Sequence, residues 1–274
     1  MKAWCNGELI DSDSPAVSVL DHGLTVGDGV FETMKAMSGK PFALTRHIKR
    51  LQRSARGLGI REPHAGVVAD AVSAAVAANR TEDLAYARIR VTYTSGPGPL
   101  GSERGAGPET LVVTVQLGQP WPETTEVIVS PWPRNERSPL AGLKTTSYAE
   151  NAVALAWAKD RGFSEALLIN LAGDLCEGTG SNVFVVVDGQ LFTPSLESGC
   201  LDGITRQLLV EWSRARETTL PADVLQTAQE VFITSSTRDV HPVVAVGDRR
   251  LEVGPVTTQM RALFAERSTA DLDP

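Results

Sequence analysis

The chain has 274 residues and a formal net charge of −7, with 42 % hydrophobic and 22 % charged residues. That balance suits a folded globular protein with a sizeable core of its own, either two domains or one large α/β unit, and argues against a disordered chain. The acidic sum, with no long Lys/Arg block, argues against a nucleic-acid partner, and no run approaches the ~20 apolar residues of a membrane span. Cys5, Cys176 and Cys200 are odd in number and far apart, so they spell neither a disulfide framework nor a metal pair, and a reducing cytoplasm fits them. The opening "MKAWCNGELIDSDS" lacks the basic flank and apolar stretch of a signal peptide.

Along the chain, "AWCNGELI" predicts a hairpin turning at Asn6-Gly7, a pair that tolerates positive φ. "GVFETMKAM" and "PFAL" around "SGK" predict a second hairpin. Thr45 is the expected N-cap of a helix whose apolar stripe is Ile48, Leu51, Ala55 and Leu58, with Arg50 beside it. A second helix closes at Asn79. "LAYARIRVTYTSG" predicts a strand with Ala85, Ala87, Ile89, Val91 and Tyr93 on one face and Arg88, Arg90, Thr92 and Thr94 on the other. A Gly/Pro-rich loop then leads to the strand "TLVVTVQL". Prolines in "GQPWPE" mark a linker, which divides the chain into 1–118, a linker at 119–124, and 125–274.

The second block reads as helix ("YAENAVALAWAKDRG"), strand ("EALLINL"), polar loop ("LCEGTGSN") and strand ("VFVVV"). A turn at Asp188-Gly189, the strand "QLFTP", a helix opening at Gly203-Ile204-Thr205, and a strand ending in "TSST" follow. The glycine patterns "VGDGVFE" and "EGTGSNVF" run into strands, whereas a phosphate-cradling nucleotide loop feeds a helix, so a nucleotide site is not expected there. Gly203-Ile204-Thr205 does start a helix, and its N–H groups with the Ser235-Ser236-Thr237 hydroxyls suit a phosphate. His22 and His47 are expected to position loops, His64 to lie on the surface and His241 at a strand end. No histidines are spaced for zinc, so no metal is expected.

Lys144 in "GLKTTSY", Glu177 in a glycine-rich stretch, and this helix start together form the set that pyridoxal phosphate requires: an amine for its aldehyde, a carboxylate for its pyridine nitrogen, and donors for its phosphate. In "GDGVFET", "RHIKRL", "GLKTTSY", "EALLIN", "LCEGTGSNVFVV", "LFTP", "GCLDGITR" and "EVFITSS" the chain resembles, through nearly its whole length, the fold type IV pyridoxal-phosphate enzymes. That group contains branched-chain aminotransferases, D-amino-acid transaminases and 4-amino-4-deoxychorismate lyases.

The resemblance implies a two-domain α/β (α+β) fold, with a smaller N-terminal α/β domain and a larger, β-barrel-like C-terminal domain that binds the cofactor. It implies a cytoplasmic homodimer acting on a small amino substrate. It makes Lys144 the Schiff-base lysine and proton carrier, and Glu177 the partner of the pyridine nitrogen. Arg50, Ile204, Thr205 and Ser236 become phosphate ligands, and Tyr148 the candidate at the ring hydroxyl. Phe31 and Thr33 of "GVFET" fall in the substrate pocket, with Arg88 if "YAR", Tyr86 to Arg88, matches a Tyr-x-Arg pattern; otherwise that arginine is structural. To act as a base Lys144 must be deprotonated, which burial beside cations favours.

The loop "SGPGPLGSERG" holds Arg104 but lacks the histidine of an Arg-x-His trap. A compact chain without a clear side-chain trap is closest to the lyases, which form 4-aminobenzoate and pyruvate. The alternatives are an aminotransferase for D- or branched-chain L-amino acids, and a catalytically silent binding protein on the same fold.

Overall fold

The computed structural model describes residues 1–79, 87–118 and 120–274. Ala85, Tyr86 and Gln119 lie outside the described residues, and with them part of the Tyr-x-Arg pattern and one linker position. The chain forms two compact units: residues 1–120 with 143–148 and 271–274, and residues 121–142 with 149–270. The segment "LKTTSY" and the last four residues thus belong to the first unit, and the expected linker straddles the boundary between Pro120 and Trp121.

In the first unit, β1 (Lys2–Cys5) and β2 (Glu8–Asp11) form the expected hairpin, with Asn6 at φ 47° and Gly7 at φ 105°. A short helix α1 (His22–Thr25) precedes β3 (Gly29–Met37), which turns through Ser38 and Gly39 into β4 (Lys40–Pro41). Helices α2 (Leu44–Leu58) and α3 (Ala65–Ala78) follow, then β5 (Ala87–Thr94) and β6 (Thr110–Leu117). Among the described residues these strands make one antiparallel sheet in the order β2-β1-β6-β5-β3-β4. Both helices cover one face, where Val30, Met34, Ile89, Val91 and Val113 meet Ile48, Leu51, Ala71 and Val72. Burying a side chain such as Leu51 there stabilises by roughly 1.5–3 kcal/mol.

One expectation is corrected here. The N-cap of α2 is Ala43, in the left-handed region, not Thr45. The cap comes from afar: the Asp273 carboxylate accepts from the Thr45 N–H at 2.8 Å and the Thr45 hydroxyl at 2.5 Å, so a side chain 228 residues away satisfies a first-turn donor.

The second unit contains β7 (Thr125–Val129), α4 (Ala149–Lys159), β8 (Glu165–Ile169), β9 (Leu175–Gly178), β10 (Asn182–Val187) and β11 (Gln190–Pro194). Then come α5 (Ile204–Trp212), β12 (Arg216–Thr218), α6 (Val224–Thr227), β13 (Glu230–Ser235), β14 (Asp239–Val246), β15 (Arg249–Arg250) and α7 (Pro255–Ala270). The sheet runs β12-β11-β10-β13-β14-β7-β8-β9, with β15 on β14. Although β9 ends that order, it also lies against β10 and β11, so the sheet curls back on itself. Phe184 and Phe232, directly opposite in register, stack at 4.9 Å in its core. "LCEG", expected as loop, is a buried strand: Leu175, Glu177 and Gly178 pair with β8 and Cys176 sits at a register shift, leaving only Thr179–Ser181 as a turn. Among the described residues no helix is long and apolar enough to cross a membrane.

Candidate functional site

Within the first unit, Lys144 is placed by backbone pairing rather than by a helix. The Phe31 N–H donates to the Lys144 carbonyl at 3.0 Å, and the Thr146 N–H to the Gly29 carbonyl at 2.8 Å, so residues 144–146 extend the sheet beside the start of β3. Glycine at 29 permits the approach, because a β-carbon there would press within 3.0 Å of the Thr146 hydroxyl and of Thr94. The Thr146 and Ser147 hydroxyls both donate to the Gly27 carbonyl at 2.9 Å, and the Lys144 N–H donates to Ser54 Oγ of α2 at 3.2 Å.

Phe31 projects from the sheet face opposite the helices, and three side chains gather on it. Lys144 Nζ lies 4.4 Å from its ring centre and Arg90 Cζ 3.3 Å, while the Tyr148 ring meets it edge-on at 5.3 Å. Burial lowers the Arg90 pKa to about 10, with Tyr148 and Glu32 acting against that shift. Strand register orders the remaining substrate-pocket candidates. Thr33 is directly opposite Arg90, whereas Arg88 is opposite Lys35, two positions farther from Phe31. The structure therefore brings Arg90, not Arg88, to Phe31 and Lys144. Alternation had put both arginines on one face, and only the β3–β5 register separates them.

Arg50, on α2, meets the other face of β3. Its Nε and Nη2 donate to the two Glu32 oxygens at 2.8 and 2.7 Å, and His47 Nδ1 is 2.6 Å from Glu32 Oε2, all fully buried. Burial opposes the Glu32 charge, but Arg50 and His47 outweigh it and hold its pKa at about 2. Burial pushes the His47 pKa down. Neutral His47 then donates its Nδ1–H to the carboxylate. Arg104 is likewise committed: it forks onto Asp28 at 2.6 and 2.7 Å and donates to the Leu58 and Gly59 carbonyls.

Within the second unit, Glu177 stands in β9 opposite Leu168. Its Oε2 accepts from the Leu201 N–H at 2.9 Å, and its Oε1 lies 3.3 Å from Arg134 Nη2, an ion-pair partner the sequence did not single out. The flanking thiols are inert. Burial, with the Glu177 charge, raises the pKa of Cys176 and pushes that of Cys200 up to about 11.

Ile204 and Thr205 open α5, whose first intrahelical bond runs from the Gln207 N–H to the Gly203 carbonyl, leaving earlier N–H groups without an intrahelical acceptor. Gly203 caps without a side chain, and a β-carbon on it would overlap the Asn182 amide oxygen. Asn182 pairs in register with Thr234, whose buried hydroxyl has no hydrogen-bond partner among the described residues, and Ser235 and Ser236 follow directly. Uncapped N–H groups, an orphaned hydroxyl and a serine turn on one small patch make a donor set for a multiply charged oxyanion.

Known proteins share this arrangement of sequence and fold. The family described as amino-transferase class IV matches residues 29–246. A putative branched-chain-amino-acid aminotransferase of Methanocaldococcus jannaschii is 32 % identical, with 98 % of this chain and 97 % of that protein covered. The solved fold IV-transaminase of Curtobacterium pusillum superposes with a TM-score of 0.86 at 31 % identity, covering 96 % and 93 % of the two chains. A putative 4-amino-4-deoxychorismate lyase of Legionella pneumophila gives a TM-score of 0.87 at 26 % identity, covering 93 % and 97 %.

Proposed function

The chain belongs to the class IV amino-transferase family of pyridoxal 5′-phosphate enzymes, and on that premise we propose that it moves an amino group between an amino acid and a 2-oxo acid. The observation that carries this reading is Arg90: a partly buried guanidinium against Phe31, in the same unit as Lys144, suits the carboxylate that every such substrate bears.

The residues fit the cofactor. The uncapped start of α5 beside the orphaned Thr234 hydroxyl offers the donors that a phosphate needs, and Glu177 is an already charge-paired carboxylate. When bound, pyridoxal phosphate supplies a carbonyl carbon for an amine and a ring that withdraws electrons from the substrate's α-carbon. In this reading the Lys144 amine takes the α-proton and returns it. Glu177, placed by the Leu201 N–H and Arg134, would pair with the pyridine nitrogen and favour its protonated form. The Ile204 and Thr205 N–H groups and Ser236 hold the phosphate. Arg50 is its proposed cationic partner, with its plane fixed by Glu32. Tyr148 is assigned to the ring hydroxyl, and Phe31 with Thr33 walls the substrate side. Arg88 is the less favoured carboxylate ligand because it lies farther along β5.

We further assign a cytoplasmic homodimer. Val17, Val19, Leu20, Leu24 and Val26 form an exposed apolar run in the first unit that a second copy would cover, and the three thiols are free and buried. Sedimentation showing an active monomer at assay concentration would remove that assignment.

The second reading, elimination from 4-amino-4-deoxychorismate to 4-aminobenzoate and pyruvate, is favoured by the likeness to the Legionella protein. One experiment separates the two. Supply aminodeoxychorismate without an oxo acid and follow 4-aminobenzoate; in parallel supply D-alanine, L-leucine or L-glutamate with 2-oxoglutarate or pyruvate. Fast transfer from one amino acid without 4-aminobenzoate supports the aminotransferase, and sustained 4-aminobenzoate with only slow transfer overturns it in favour of the lyase.

A further inference from the structure

Behind the Glu177 strand lies a buried polar chain that the reading above does not use. Glu165 of β8 is almost wholly buried, and its Oε1 accepts from the Thr179 hydroxyl and, at 3.1 Å, from the Gly180 N–H. Both donors belong to the tight turn after Glu177, which is closed by the Gly178 N–H donating to the Ser181 carbonyl at 2.7 Å. The other carboxylate oxygen, Oε2, lies 3.5 Å from Arg238 Nη2, and the Arg238 side chain is 6 % exposed.

Arg238 ends a second turn. Its N–H donates to the Ser235 carbonyl and to Ser235 Oγ, both at 3.2 Å, enclosing Ser236 and Thr237. The guanidinium is held from two more sides, with Cζ 3.8 Å from the Trp121 ring centre and Nη1 2.9 Å from His241 Nδ1. Arginine only donates, so His241 must accept at Nδ1, which fixes the imidazole as neutral with its proton on Nε2.

We propose that Arg238 and Glu165 are positioning residues whose buried ion pair couples the turn after Glu177 to the turn that carries Ser236, fixing two cofactor-binding segments of the second unit as one body. A buried ion pair contributes little to stability compared with apolar residues of the same volume, while loss of one partner strands the other's charge, so its role here is to specify geometry. Burial raises the Glu165 pKa despite Thr179 and Arg238, as expected of a group placed for position rather than for charge stabilisation. The proposal rests on the assignment of Glu177 and Ser236 to the cofactor.

The test is amide hydrogen exchange over residues 178–181 and 235–238, with and without pyridoxal phosphate, joined to cofactor titration followed by visible absorbance. The chains compared are the wild type, Arg238→Met, Arg238→Lys and Glu165→Gln; the two milder changes keep the test usable if Arg238→Met does not fold. Arg238→Met should speed exchange in the distant 178–181 turn, Glu165→Gln should speed it in 235–238, and both should weaken cofactor binding by roughly tenfold, with Arg238→Lys intermediate. Exchange confined to each variant's own turn overturns the coupling. Faster exchange in both turns with unchanged cofactor affinity overturns the positioning role. A wild-type chain that takes up no pyridoxal phosphate overturns the proposed function itself and is recognised before any variant is compared.

Discussion

Arg90 rests its guanidinium carbon 3.3 Å from the centre of the Phe31 ring, whereas Arg88, one alternation away on the same strand face, is opposite Lys35. Arg90→Met should therefore raise KM for the amino acid about 10–100-fold, the size of a lost charge-assisted hydrogen bond, with the cofactor absorbance unchanged. Arg88→Met should stay within roughly a factor of two. Steady-state kinetics on the two variants decide it, and the reverse ranking would return the carboxylate to Arg88.

Lys144→Ala should leave the far-ultraviolet spectrum intact, because the segment is held by backbone bonds to Gly29 and Phe31 that need no lysine side chain. Turnover should vanish, and borohydride should no longer fix the cofactor to the chain, as read by mass. Glu177→Gln should retain cofactor yet lose most activity, since a neutral amide stabilises a protonated ring nitrogen far less. Full turnover in either variant removes the role given to that residue.

Gly203→Ala would drive a methyl into the Asn182 amide oxygen and push the start of α5 off its seat. A cost of about 1–3 kcal/mol is expected from such overpacking, together with weaker cofactor uptake. Combining it with Asn182→Ala should recover part of the stability in urea unfolding. No loss in the single variant would mean that the helix start has room to move.

Acid should destabilise the protein in two stages. Burial and Arg238 lower the His241 pKa from 6.5 to about 4, with the Pro122 and Thr124 carbonyls opposing, and burial lowers that of His47. The unfolded chain then binds more protons below ~6.5, so stability falls as pH drops from there towards 4 and this contribution is flat below. Glu32, held at about 2, contributes stability above its ordinary value of 4.5 that is lost as pH falls towards 2. Glu165, raised by burial, acts in the opposite sense as pH rises through its pKa. Urea midpoints measured against pH should decline from 6.5 to 4, and less steeply in Arg238→Lys, because the shorter lysine holds its charge farther from His241. A flat profile there would contradict the neutral buried histidines.

Asp273→Ala should lower stability by about 1 kcal/mol, the usual worth of a helix-capping side chain, because it removes the carboxylate that Thr45 meets. Thermal unfolding is the measurement, and an unchanged midpoint would mean that water replaces the cap.

Much of this was legible from local pattern. The Asn6-Gly7 turn, the alternation of β5 and the stripe of α2 follow from period and turn chemistry, and Lys144, Glu177 and the α5 start stand out as candidates from residue type in order. What stayed hidden depends on pairing across the chain. Choosing Arg90 over Arg88 needs the register of β3 with β5. Thr45 looked like a cap because nothing nearby announces Asp273. Glu177 was read into a loop because glycines surround it, yet tertiary pairing with β8 makes its segment a strand. Arg134, Arg238 and Glu165 are single charged residues that gain meaning only from the partners that burial assigns them.

The return of residues 143–148 and 271–274 to the first unit also sets a timetable for synthesis. While the ribosome has released only the first 120 residues, the start of β3 pairs with β5 but lacks residues 144–146 on its other side, and α2 has no cap. The edge is closed only after residue 146 emerges, and the cap only after residue 273 does. A fragment ending at Pro120 should thus be an incomplete fold with a sticky strand edge, and tethering "GLKTTSY" to it should improve its solubility before any catalytic question arises.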